Sequence, residues 1–181
     1  MKKLILFLSW FIIANSVSAQ NETNLKGLET LAKQGDLAAQ IELANAYRKG
    51  IGVIQDYKTA VKWFTLAAEQ GNAEAQFNLG IMHSFGLGVV PNYQSAVKWY
   101  TLAAEQGNAL AQYNLGRLYY LGKGVPENLV YAHMWANQAS SNGFEMGSEL
   151  TELLTELMTT TQIKQARRLG KECVNKNYKG C

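Results

Sequence analysis

From residue 36 onward, apolar side chains recur at helical spacing. Ala39, Leu43 and Tyr47 stand four apart, which places them on one face of a helix from about Asp36 to Lys49. Gly50-Ile51-Gly52-Val53 then breaks the pattern, and glycine ends a helix by adopting a left-handed cap at little cost. Asp56 is a good N-cap for a second helix carrying Ala60, Trp63 and Ala67 at steps of three and four. The same sentence is written twice more. First helices are predicted at 72–85 and 108–121. They are followed by Gly86-Leu87-Gly88-Val89 with Asn92, and by Gly122-Lys123-Gly124-Val125 with Asn128.

The copies are close. Between Ala60–Gly80 and Ala96–Gly116, 18 of 21 positions are identical, at an offset of 36 residues. That offset also links Gly35, Gly71, Gly107 and Gly143, and Trp63, Trp99 and Trp135. A fixed period of this size predicts a solenoid, in which each unit buries its apolar face on its neighbours. The recurring alanines let helices approach closely, and the tryptophans are expected to fill the space between hairpins. Terminal units must present a polar outer face. Leu25, Leu28, Leu31 and Ala32 predict an N-terminal capping helix. Met146, Leu150, Leu153, Leu154 and Leu157 make one amphipathic helix after Gly143. Thr159 and Gln162 form a capping box for a last helix through Ile163, Ala166 and Leu169.

Ala75, Leu79, Gly80, Gly86, Gly88, Val89, Asn92, Ala96, Trp99, Ala103, Ala104 and Gly107 match the signature of the Sel1-like repeat family, relatives of tetratricopeptide repeats. The chain resembles that family over 35–143. His83 departs from it where Tyr47 and Tyr119 stand, as do His133 and Ser140 in the third repeat. The segment from Met158 to Leu169 is similar to tails that follow many bacterial arrays of this kind. The resemblance implies an all-α, right-handed α/α-hairpin solenoid of three repeats (35–70, 71–106, 107–142). Capping segments at 20–34 and 144–181 flank it.

The N-terminus changes where this solenoid would work. Lys2 and Lys3 precede an apolar run from Leu4 to Ala14, and small residues end at Val17-Ser18-Ala19. This describes a secretory signal peptide over 1–19, cleaved after Ala19. An uncleaved anchor is the alternative, but the run is short of the ~20 residues a spanning helix needs. No cysteine follows for lipid attachment. The mature chain is expected in a bacterial periplasm or outside the cell, with no stable membrane insertion. Of 17 basic residues, Lys2 and Lys3 leave with the signal; 15 remain against 14 acidic, a net charge of +1. Such a balance gives no case for nucleic acid, whose binding rests on neutralising phosphates. Cys173 and Cys181 are the two cysteines, and in an exported chain they are expected to form a disulfide. Two thiols without a nearby histidine are a poor metal set.

Catalytic signatures are sparse, and neither a catalytic residue, a metal site nor a cofactor is predicted. His83 and Ser84 are adjacent on a helix and so do not face each other. His133 stands where Val61 and Val97 stand, as a packing variant. Ser95-Ala96-Val97-Lys98 fits S-x-x-K, and some disulfide-rich relatives of the family are described as penicillin-binding. Thr59 and Tyr131 occupy the serine's position in the other repeats, no K-T-G appears, and Ser140-Ser141-Asn142 only loosely mimics S-D-N. A cell-wall or β-lactam-processing enzyme is therefore the alternative reading.

The principal expectation is a scaffold, adaptor or inhibitor that binds a protein or peptide in a concave groove. Positions that vary between repeats on one face are free to read a ligand. Three such positions stand at i, i+4 and i+7 of each first helix: Ile41, Asn45 and Arg48; Phe77, Ile81 and Ser84; Tyr113, Arg117 and Tyr120. In similar repeat families the first helices line the concave surface. Asn45, Arg48, Phe77, Ile81, Ser84, Tyr113, Arg117 and Tyr120 are the candidate partner-binding residues. Arg48, Arg117 and Tyr120 are expected to be its exposed readers, and arginine and tyrosine are enriched in interface hot spots.

Overall fold

A computed structural model of the chain describes residues 25–181. The expected signal peptide lies outside the described residues, as does the start of the N-terminal cap. All regular structure among the described residues is helical. Helix α1 is described over 25–33. Three hairpins follow: α2 (Leu37–Lys49) with α3 (Tyr57–Glu69), α4 (Ala73–Phe85) with α5 (Tyr93–Ala104), and α6 (Ala109–Leu121) with α7 (Leu129–Ser141). Helices α8 (Met146–Leu157) and α9 (Thr160–Asn175) close the chain. Consecutive helices from α2 to α8 pack on each other, α9 packs on α7, and α4 touches α6 across the intervening helix. This is a solenoid of helical hairpins.

Local chemistry sets the boundaries. Asp36, Asn72 and Asn108 cap the first helices by accepting from the amides of Ala39, Ala75 and Ala111. Asp56, Asn92 and Asn128 do the same for the second helices. Gly50, Gly86 and Gly122 stop the first helices in left-handed conformation. The second glycine of each Gly-x-Gly has a different duty. A Cβ on Gly88 would lie 2.4 Å from the Tyr57 carbonyl carbon, and one on Gly124 would lie 2.4 Å from that of Tyr93. These loops press against the preceding repeat, and only glycine fits there. The capping box of α9 forms as the spacing of Thr159 and Gln162 predicts.

Of the three tryptophans expected between hairpins, Trp135 is buried, but Trp63 and Trp99 are only partly so. In those two hairpins it is the next residue that goes inside: Phe64 is fully buried and Tyr100 is 2% exposed. The inward face of the second helix runs through Ala60, Phe64, Ala67 and Ala68, and its counterpart through Ala96, Tyr100, Ala103 and Ala104. Trp63 and Trp99 stand at the edge of that face. Gly80 makes room for the Tyr100 ring; a Cβ there would lie 2.5 Å from it. In the third hairpin Ala136 takes the inward position, and Trp135 is buried as well.

A buried amide ladder runs through the stack. The side-chain N–H groups of Gln40, Gln76 and Gln112 donate to the carbonyls of Ala32, Ala68 and Ala104. Their oxygens accept from Gln70, Gln106 and Asn142. Each rung ties the start of a hairpin to the end of its second helix, and buried polar groups are costly unless so paired. At the C-terminus, Leu150 and Leu154 of α8 turn inward while Met146, Leu153 and Leu157 remain exposed. The Cys173–Cys181 disulfide closes the tail into a loop. That loop folds back on the solenoid: the Gly180 amide donates to Glu105 Oε1 (2.9 Å), and the Tyr178 hydroxyl donates to Asn142 Oδ1 (3.3 Å).

Candidate functional site

The first helices present the variable positions, but stacking divides them. Phe77 and Ile81 pack against the cluster around Tyr100, with the Phe77 and Tyr100 rings 6.0 Å apart. Tyr113 and Tyr120 pack toward the C-terminal cluster of α7, α8 and α9, and Tyr113 meets Phe144 edge-on at 5.0 Å. Asn45 and Arg48 hold each other, the guanidinium donating to Asn45 Oδ1 at 3.0 Å. Asn45 also donates to Glu74 at 3.3 Å. Arg48 and Tyr120 are half-buried, and Arg117 is exposed. Of the eight residues, Ser84 and Arg117 come together in one concavity.

That concavity is a cleft of about 150 Å³ between the C-terminal halves of α4 and α6. Tyr100 and Leu118 form its floor, Ser84 and Asn114 its sides, and Arg117 and Lys123 its cationic edge. Phe85, Leu121 and Tyr93 supply an apolar rim, with Phe85 71% exposed and Leu121 47%. Arg117 lies over the Tyr113 ring at 5.7 Å and Lys123 over the Tyr93 ring at 5.1 Å. Burial pushes the Tyr100 phenol up, while the nearby Ser84 hydroxyl and the Arg117 charge oppose that rise. The Ser84 Oγ is shielded from solvent and makes no hydrogen bond of good geometry.

The sequence pattern missed Phe85, Tyr93, Tyr100, Asn114, Leu121 and Lys123. Two signals were present. Lys49, Phe85 and Leu121 vary at the last position of the first helices, and Ile51, Leu87 and Lys123 vary inside Gly-x-Gly. A search confined to three positions per helix passes over both.

The groups with catalytic potential are placed as follows. The Ser95 amide is spent on the Asn92 cap, and the Lys98 ammonium lies over the Trp99 ring at 5.4 Å. The His83 Nδ1 is buried without a partner, and burial lowers its pKa. His133 is buried, with Nε2 3.2 Å from the Thr155 hydroxyl. Among the described residues, no three His, Cys, Asp or Glu side chains gather to hold a metal. No described helix is long and apolar enough to cross a membrane.

Fold and site together define a tandem α-hairpin repeat protein whose variable residues lie at the junctions between units. The Sel1 repeat model matches residues 37–72, 73–108 and 109–144, and the chain belongs to the Sel1 repeat family. Proteins of this family generally serve as scaffolds for protein interactions. Among solved structures, the chain is similar to c5321, a protective antigen of uropathogenic Escherichia coli with the same repeat fold. The two are 31% identical with a TM-score of 0.66, over 85% of this chain and 41% of the antigen. It is also similar to a Sel1 repeat protein from Oxalobacter formigenes, at 37% identity and a TM-score of 0.65, over 71% of this chain and 97% of that one. The chain thus spans about two fifths of the antigen's length. No curated protein matches it.

Proposed function

We propose that the chain is an exported scaffold of the bacterial envelope, acting as an adaptor or inhibitor by binding a protein or peptide along its first helices. The observation that carries this reading is the open junction between α4 and α6. There Arg117, Phe85 and Leu121 stand exposed around a concavity instead of closing the stack. A residue set of arginine and aromatic side chains at a concave centre is what interface hot spots use. Export is supported by the lysine-led apolar leader ending at Ala19 and by the Cys173–Cys181 bond, a chemistry of oxidising compartments.

The test is affinity capture by the full chain from periplasmic extract, with Arg117→Ala, Phe85→Ala as the paired control. The two changes fall on exposed side chains, and surface substitutions usually stay within about 0.5 kcal/mol. Melting should therefore hold, while a specific partner is captured by the parent chain and lost by the variant. The exported form of this chain should itself begin at Gln20. Equal capture by both forms would move the binding surface elsewhere.

A further inference from the structure

The α4–α6 cleft differs from its counterpart one repeat earlier in the groups that make it polar. Thirty-six residues back, Tyr100 is Phe64, Arg117 is Ile81, Lys123 is Leu87 and Ser84 is Arg48. At that junction Phe64 and Met82 are buried in an apolar cluster on which Leu87 packs. Stacking one hairpin on the next therefore does not need a cation at the positions of Arg117 and Lys123, although the first junction has a cation of its own, Arg48, where the cleft has Ser84.

What the second junction adds is an excess of donors. Arg117 and Lys123 are exposed and unpaired; the two ion pairs among the described residues, Lys33–Glu29 and Arg168–Glu172, lie elsewhere. Each cation rests over a ring face, which orients it without neutralising it. The Ser84 Oγ is shielded from solvent beside Tyr100, and Asn114 uses its N–H on the Leu110 carbonyl, so Arg117 and Lys123 carry the excess. An arginine fork and an ammonium facing one concavity match a carboxylate. The volume, about 150 Å³, suits a side chain. Around this charged centre, Phe85 and Leu121 present apolar surface to whatever flanks the anion.

We propose that the cleft recognises an acidic segment of a partner protein, an aspartate or glutamate side chain entering beside Arg117 and Lys123 and an apolar neighbour resting on Phe85 and Leu121. This rests on the scaffold reading and names the chemistry of its partner. The anchor adds specificity and speeds association by steering, and its strength falls as salt rises.

The test titrates a labelled, end-blocked peptide of alternating glutamate and phenylalanine, beside the same peptide with glutamine for glutamate. The variant is Arg117→Ile, Lys123→Leu, which installs the residues that stand one repeat earlier in sequence, Ile81 and Leu87; both changes fall on exposed side chains, so melting should hold. The acidic probe should bind the parent chain at least ~10-fold more tightly than the glutamine probe. The variant should lose that preference and its salt dependence. Equal binding of both probes, or an undiminished preference in the variant, overturns the acidic anchor. The captured partner separates the two readings. If it binds parent and variant alike but is lost from Arg117→Ala, Phe85→Ala, the scaffold stands and the anchor falls. If it binds all three alike, the anchor falls and the scaffold's binding surface lies elsewhere.

Discussion

Tyr100 and Trp99 are neighbours in sequence with different fates in the fold. Tyr100 sits under Gly80 with almost no exposure, while Trp99 leans half-buried at the edge of the hairpin. Truncating a large buried aromatic costs about 3–5 kcal/mol through lost transfer energy and a residual cavity. Tyr100→Ala is expected in that range, and Trp99→Ala at about half of it, since part of the indole already meets water. Thermal melts of the two variants give the order directly, and a larger loss for Trp99→Ala would contradict this placement. His133 carries a second expectation. Burial lowers its pKa from 6.5, and the charge of Arg167 lowers it further. Above pH ~6.5 the imidazole is neutral in both folded and unfolded chains and contributes no pH dependence. As pH falls below that value, the unfolded chain takes up a proton that the folded chain resists, so stability is lost. His133→Gln should flatten part of the decline in melting temperature between about pH 7 and 5. His83, shifted the same way by burial, should retain a share. An unchanged decline would place the acid sensitivity elsewhere.

At the scale of elements, the tail is held by a covalent and a polar tie together. The disulfide closes a loop eight residues in span, and the loop seats Tyr178 and Gly180 on Asn142 and Glu105. Loop-closure entropy for so short a ring is worth about 2–3 kcal/mol. Reduction, or Cys181→Ser, should lower stability by about that amount and speed exchange of the Gly180 amide; unchanged protection of that amide would show that the loop docks without its bond. Caps, glycine stops and the α9 capping box were legible in the sequence because each rests on residues within one helical turn. The amide ladder was not. Gln76 visibly recurs with Gln40 and Gln112, yet its partner Gln106 is 30 residues away, and only the closed hairpin brings them to 2.7 Å.

For the whole molecule, the 36-residue period made the architecture legible, since the pattern that builds one hairpin builds all three. The same regularity hid the candidate cleft. Treating each first helix as one face predicts a single reading surface, whereas stacking sends Phe77 and Ile81 into one cluster and Tyr113 and Tyr120 into another. What remains open draws on α4, α5, α6 and the loop after α6, a set no single-helix pattern contains. The central claim, that a partner docks at this junction, is tested most directly by site-specific photo-crosslinking in living cells. A photoreactive residue replaces Phe85 at the cleft rim and, separately, the exposed Val174 on α9. A discrete protein adduct from position 85, absent from position 174, is the predicted result. Adducts from position 174 alone, or from neither position, would contradict it.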